Sequence, residues 1–293
     1  MTGITMFTGK GGVGKTTCSA ASALHYASAG ARTLAISTDA TPSLAHIFET
    51  PAGQKPDEVQ PGLFIREIGE VEIKAMWDAR FGREVYGVFS AFVDIEYEEF
   101  VEFMTSVLPG LGEEFMVDYI RETARGGNYE NIVWDTAPLG QTLSLLATPA
   151  LLGQHLKMAP RIYSRLKIGQ GSRKPVLDIL KRWETLSAAN MDFLCREVDF
   201  TLVTIPEALA VAQLEGTFRE LDRYGLNVKR IIINNVVQTE ESEFLRTKAR
   251  QQREYLGHIH EKYSNLNIIE VPMFPQEVKG VERLKEVVKI VYA

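Results

Sequence analysis

The sequence predicts an α/β protein in which a mostly parallel sheet carries helices on both faces. Three features of the 293-residue chain carry this expectation. Short runs rich in Ile, Val and Phe recur along it, patterns of helical length lie between them, and a glycine-rich turn joins the first run directly to the first helical pattern.

Taken in order, Ile4–Phe7 reads as the first buried strand, Gly9–Gly14 as the turn and Lys15–Ala29 as the helix that follows. Strands are then expected at Thr33–Ser37 and Phe64–Glu67. A segment of roughly 75–125 breaks the alternation and reads as a helical insertion, closed by a turn at Gly126–Gly127. The strand Ile132–Asp135 follows, and a second helical insertion is expected at about 150–195, with exposed turn character at Gly169–Lys174. The remainder alternates regularly: strand Phe200–Ile205, helix Ala208–Tyr224, strand Arg230–Asn234, helix Phe244–Tyr263, strand Asn267–Val271 and helix Val281–Val291. The expected organisation is one domain over 1–293 with two helical insertions.

Composition narrows the function classes. With 45% apolar and 24% charged residues the chain is an ordinary soluble, folded protein, and a net charge of −6 argues against broad binding to nucleic acid. The two cysteines, Cys18 and Cys195, are too few for a four-cysteine zinc site or an iron–sulfur cluster held in one chain, and suit a reducing cytoplasm. No run of about 18 apolar residues is present, and the first strand leaves no room for a signal peptide, so any membrane role is expected to be peripheral or through a client.

Gly9-Lys10-Gly11-Gly12-Val13-Gly14-Lys15-Thr16 satisfies G-x-x-x-x-G-K-[ST] between a strand and a helix, the context this phosphate-binding loop requires. Its backbone N–H groups and the helix N-terminus suit phosphate oxygens. Lys15 is placed for the β/γ-phosphates, the Thr16 hydroxyl for Mg²⁺, and Thr17 for an α-phosphate oxygen.

The lysine at the second loop position, Lys10, marks the deviant form of the loop, and here the sequence resembles the family of arsenite-pump and tail-anchored-protein targeting ATPases. The resemblance implies ATP hydrolysis with Mg²⁺ and a homodimer in which Lys10 reaches phosphates held by the opposite subunit. Asp39, after Ile36-Ser37-Thr38, matches the first switch, whose aspartate positions the attacking water; a helix N-cap is the alternative reading. The following residues, Ala40 to His46, depart from the family's pattern, and His46 beside an apolar run reads as structural.

Asp135-Thr136-Ala137-Pro138-Leu139-Gly140-Gln141-Thr142-Leu143 resembles the second switch. Asp135 would hold Mg²⁺ through water, and the Gly140 N–H would approach the γ-phosphate. Glu207 resembles the glutamate that contacts nucleotide across the dimer; taken alone, both it and Asn234 read as a turn or cap residue. Asn234 matches the adenine-reading amide, and Pro272, within Val271–Val281, the segment that covers the adenine.

The client is less defined by sequence. Segment 76–117 is rich in Phe and Met, which suits either a groove for an apolar helix or an ordinary core. No cysteine lies in Gln238–Arg253, where targeting members carry a C-x-x-C zinc pair, so a dimer without zinc is expected. Residues 157–174 hold six basic residues and no acid; a solvated charged face is the default reading, and a contact for an anionic membrane surface, a receptor or the acidic residues Asp94 to Glu102 is the alternative. The expected function is ATP-dependent targeting of membrane proteins with one apolar helix. The alternatives are a positioning or regulatory switch and, with only two separated cysteines, an arsenite efflux subunit.

Overall fold

Strand β1 (Gly3–Gly9) sits inside an eight-stranded sheet, flanked by β5 (Asn131–Asp135) and β6 (Val198–Thr204). The structure is a computed structural model that describes residues 2–38, 43–51, 53, 56–90, 94–107, 111–136 and 170–293. Beyond β5 lie β2 (Thr33–Ser37), β4 (Leu63–Glu67) and β3 (Asp57–Gln60); beyond β6 lie β7 (Val228–Val236) and β8 (Asn267–Pro272). Every pairing is parallel except β3 with β4. The α/β architecture expected from sequence is therefore the one found.

The seven strands read from apolar runs all occur. The eighth, β3, is a four-residue edge strand, Asp-Glu-Val-Gln, whose charge removes the apolar signature and protects the sheet edge. Both faces of the sheet are covered. Phe7, Ala35, Val133, Val203 and Ile232 pack with α1 (Lys15–Ser28), α2 (Leu44–Phe48) and the C-terminal helix (Val281–Val291). The alternate set, with Met6, Ile36, Trp134, Leu202 and Ile233, is equally buried, as a doubly covered parallel sheet requires.

The chain divides into two compact units. The sheet unit comprises 1–68, 124–143 and 197–293, and the second unit comprises 69–123 and 144–196. In the second unit α3 (Glu70–Trp77) runs through a π-helical turn, Asp78–Gly82, into α4 (Arg83–Phe89). Helices α5 (Tyr97–Val107), α6 (Leu111–Arg125) and α7 (Gln170–Arg196) follow. Helix α7 begins at Gln170, so Gln170–Lys174, expected as an exposed turn, is helical. In contrast Gly127, with φ 66°, ends α6 as the sequence suggested.

Trp77, Val85 and Phe100 form a small core in this unit, with Phe81, Tyr86 and Ile95 against it. Phe115 and Met116 are also buried, whereas Phe103 is 42% exposed. Among the described side chains of 76–117, most of the apolar ones thus pack inward; those of Phe89, Phe92 and Met104 lie outside the described set. Asp118, fully buried, is paired with both Arg80 and Arg121. No helix among the described residues is long and apolar enough to cross a membrane.

The sheet unit is completed by α8 (Ala208–Arg223), α9 (Glu243–Lys262) and α10 (Val281–Val291).

Candidate functional site

Parallel strands bring their carboxyl ends to one edge, and in open α/β sheets that edge is where ligands bind. Here the register brings the loop after β1, Thr38 after β2, Asp135 at the end of β5, Glu207 after β6, Asn234 near the end of β7 and Pro272 at the end of β8 to the same edge. Residues separated by more than two hundred positions in sequence become neighbours through strand order alone.

The glycine-rich loop is shaped by contacts beneath it. Gly9 pairs with Val203 of β6, and a Cβ at Gly9 would overlap the Val203 carbonyl oxygen, so no larger residue fits. Gly14 has φ 95° and caps α1, and a Cβ there would collide with the Asn234 amide. That amide donates to the Val13 carbonyl at 2.9 Å, pinning the loop to β7, while Val13 itself is buried in the core. Above Gly12 the space is open. Gly11 and Gly12 are exposed, and Lys10 is half-buried.

Lys15 opens α1 and is only 6% exposed, its Nζ donating to the Lys10 carbonyl at 3.1 Å. The ammonium is thereby turned into the curl of the loop. Thr16 and Thr17 follow in the first turn, both half-buried, and Ser19 Oγ holds the Thr16 carbonyl at 3.0 Å. Asp135 is buried at a three-strand junction, level with Phe7 of β1 and Ser37 of β2. Next to it, Thr136 Oγ1 donates to the Phe7 carbonyl at 2.7 Å.

Thr38, the residue before Asp39, is fixed to the same strand. Thr38 N donates to the Asp135 carbonyl at 3.1 Å, and the Trp134 indole donates to Thr38 Oγ1 at 3.0 Å. Asp39 and Gly140 themselves lie outside the described residues, as does the segment 157–169. His46 is a surface residue facing Glu277 at 4.0 Å.

Glu207 caps α8 through its carbonyl, which accepts from Val211 N at 3.0 Å. Its carboxylate stands 3.8 Å from Lys248 on the wall of a cleft of about 510 Å³ that Phe244 and Tyr255 also line. Pro272 pairs with Val236, and the next residue, Met273, donates to the Val236 carbonyl at 2.9 Å, which sets this segment beside the end of β7.

The donor set fits a magnesium nucleotide. Hard oxygen donors are available from Thr16 and Asp135, a buried lysine closes the loop, and glycine alone fits the two tightest points of its curl. The cysteines offer different chemistry. Cys18 is buried in α1 and its thiol is pushed up to about 12, first by burial and then by the Asp135 carboxylate; Cys195 is also raised, chiefly by burial. Neither is poised as a thiolate.

A family model described as anion-transporting ATPase matches residues 2–293. The chain is 32% identical over 298 residues to ATPase GET3A of Arabidopsis thaliana, covering 94% of this chain and 80% of the relative. It is 29% identical over 288 residues to a protein of Aquifex aeolicus (strain VF5) named as the second of its pump-driving ATPases for arsenicals, covering 96% of each. ATPase GET3 of Chaetomium globosum (strain ATCC 6205 / CBS 148.51 / DSM 1962 / NBRC 6347 / NRRL 1970) is 26% identical over 306 residues, covering 94% of this chain and 86% of the relative.

Proposed function

The chain is an ATPase that belongs to the anion-transporting ATPase family, and from that membership we propose a dimeric switch that captures the single apolar helix of a tail-anchored membrane protein. The observation that carries the proposal is the meeting of a lysine-bearing phosphate loop, the buried Asp135 and the anchored stem of Asp39 at one edge of the sheet. A carboxylate following a fixed stem is suited to orient water, and phosphoryl transfer depends mainly on such positioning and on charge stabilisation.

In this reading Gly9 to Thr17 hold the phosphates of ATP, and Thr16, with Asp135 through water, holds Mg²⁺. The metal supplies charge neutralisation on the phosphate oxygens. Lys15 stabilises charge from within the loop, and Asp39 orients the attacking water. Asn234 and Pro272 receive the adenine, and the Gly140 N–H senses the terminal phosphate. Lys10 and Glu207 act across a homodimer, toward nucleotide bound by the second copy. Residues 1–293 act as one ATPase domain whose helical insertions receive the client, and the basic segment 157–174 makes a peripheral contact with an anionic membrane surface or receptor. The protein works in the cytoplasm.

Cysteine chemistry favours a protein client over a metalloid. A metalloid site needs several converging thiolates, whereas Cys18 is sealed in α1 with its thiol raised to about 12.

The test uses Asp39→Asn, expected to bind ATP and Mg²⁺ while turning over slowly, which holds the switch closed. Incubation with a crosslinkable transmembrane peptide should give ATP-dependent adducts within 76–117, and a polar control peptide should give none. Dimer formation without capture would reject the targeting proposal and favour a positioning switch.

A further inference from the structure

The adenine-reading role implied for Asn234 leaves one fact unexplained: its amide is already bonded to the phosphate loop. Asn234 Nδ2 donates to the Val13 carbonyl at 2.9 Å and fills the space beside Gly14 that a Cβ would take. A carboxamide has two N–H hydrogens and a carbonyl oxygen, so this bond leaves it able to serve a base as well.

Behind Asn234 the chain is irregular. The β7–β8 register shifts between Ile233 and Val236, and Asn235 adopts φ 59°, so its carbonyl and the Val237 N–H leave the regular ladder. One side chain satisfies both. Gln252 of α9, only 3% exposed, accepts from Val237 N at 2.7 Å through Oε1 and donates from Nε2 to the Asn235 carbonyl at 3.0 Å. A buried glutamine that meets two displaced backbone groups, one on each side of Val236, fixes where the strand ends. It therefore fixes where the Asn234 side chain is presented.

We infer that Gln252 is a positioning residue of the nucleotide site, acting through the end of β7 and Asn234 on the Val13–Gly14 turn, so that it sets affinity for the triphosphate chain whatever base that chain carries. The inference rests on the reading of Gly9–Thr17 as the nucleotide loop. It separates two roles that the adenine assignment merges. A residue that only reads the base acts on ATP alone, whereas a residue that braces the loop acts equally on ligands that have no adenine.

The experiment compares ATP, GTP and inorganic tripolyphosphate, each with Mg²⁺, by isothermal titration against the unmodified protein, Gln252→Leu, Gln252→Asn and Asn234→Asp. Titrations are run below the melting transition of each variant, and the fitted stoichiometry reports the competent fraction. Gln252→Leu should weaken all three ligands by about tenfold, the loss of a buried hydrogen-bond pair, with the ATP-to-GTP ratio kept. Asn234→Asp places an acceptor against the Val13 carbonyl and should weaken tripolyphosphate by a similar factor. Gln252→Asn, a polar side chain too short to bridge the Val237 N–H and the Asn235 carbonyl together, should do the same and decides the matter if Gln252→Leu does not fold. Unchanged tripolyphosphate affinity in the variants overturns the inference, whether or not ATP binding falls. Failure of the unmodified protein to bind ATP would instead overturn the loop reading on which the inference stands.

Discussion

Replacing Gly14 by alanine tests the geometry of the phosphate loop most directly. With φ 95° at this position, an L-residue pays roughly 1–2 kcal/mol for a left-handed backbone. The new Cβ would also displace the Asn234 amide, forfeiting its 2.9 Å bond to Val13, worth about 0.5–1.5 kcal/mol. Together these amount to roughly 1.5–3.5 kcal/mol against the binding-competent loop, and a smaller competent population raises the apparent Kd by roughly 10- to 400-fold. Equilibrium titration with a fluorescent ATP analogue reads this directly. A double-mutant cycle checks the cause. Asn234→Ala removes the same bond beforehand, so Gly14→Ala in that background should cost about 1 kcal/mol less than it does alone. A Gly14→Ala protein that binds within twofold of the original, or strict additivity in the cycle, would refute the argument that Gly14 is glycine because of Asn234.

Lys15→Ala, which removes the amine that donates to the Lys10 carbonyl, should abolish nucleotide binding in calorimetry; retained ATP binding would show that the loop works without it. Lys10→Ala should leave binding to one subunit intact and weaken ATP-dependent dimerisation, and an unchanged dimer in sedimentation velocity would contradict that. Cys18 predicts a pH dependence. The fold holds its thiol protonated up to about 12 from an ordinary value of 9.0, so the unfolded chain releases its proton first and stability declines as pH rises through that window. The limiting slope is about 1.4 kcal/mol per pH unit. Tyr292, also raised to about 12 but from 10.0, adds to the decline only above its own ordinary value. Cys18→Ala should therefore flatten the denaturation free energy most clearly between pH 9 and 10, and an unaltered slope there would sink the assignment.

The central strands were legible because they are buried on both faces, which leaves nearly continuous apolar runs such as Ile231–Ile233. The glycine loop was legible because its spacing reflects sterics: Gly9 faces a carbonyl and Gly14 faces an amide, and neither site admits a side chain. Edge strand β3 was not, since an edge needs charge more than apolar area. The clustering of Phe and Met in 76–117 left groove and core equally open, because spacing reports amphipathicity and not what covers the apolar face. Burial of Phe100, Phe115 and Met116 assigns part of that richness to packing within the protein.

Asn234 and Gln252 show where legibility ends and how it could be extended. The bond from Asn234 to Val13 spans 221 residues, and no local pattern announces it; only the strand order makes the two neighbours. Gln252 is different. It stands beside Gln251 in a strongly polar helix, yet Gln251 is exposed and Gln252 is buried. Helical phase separates them, for Ala249, Gln252, Leu256, Ile259 and Tyr263 recur at intervals of three and four residues along one stripe. A glutamine within an otherwise inward-facing stripe must find partners for a donor and an acceptor or incur the cost of burying both. Its presence there is a sequence-level sign that α9 lies over irregular backbone, and the displaced groups at the end of β7 are the ones it meets. The hydrogen bonds form one chain from helix to loop: Gln252 of α9 holds the strand end, the strand end carries Asn234, and Asn234 holds Val13.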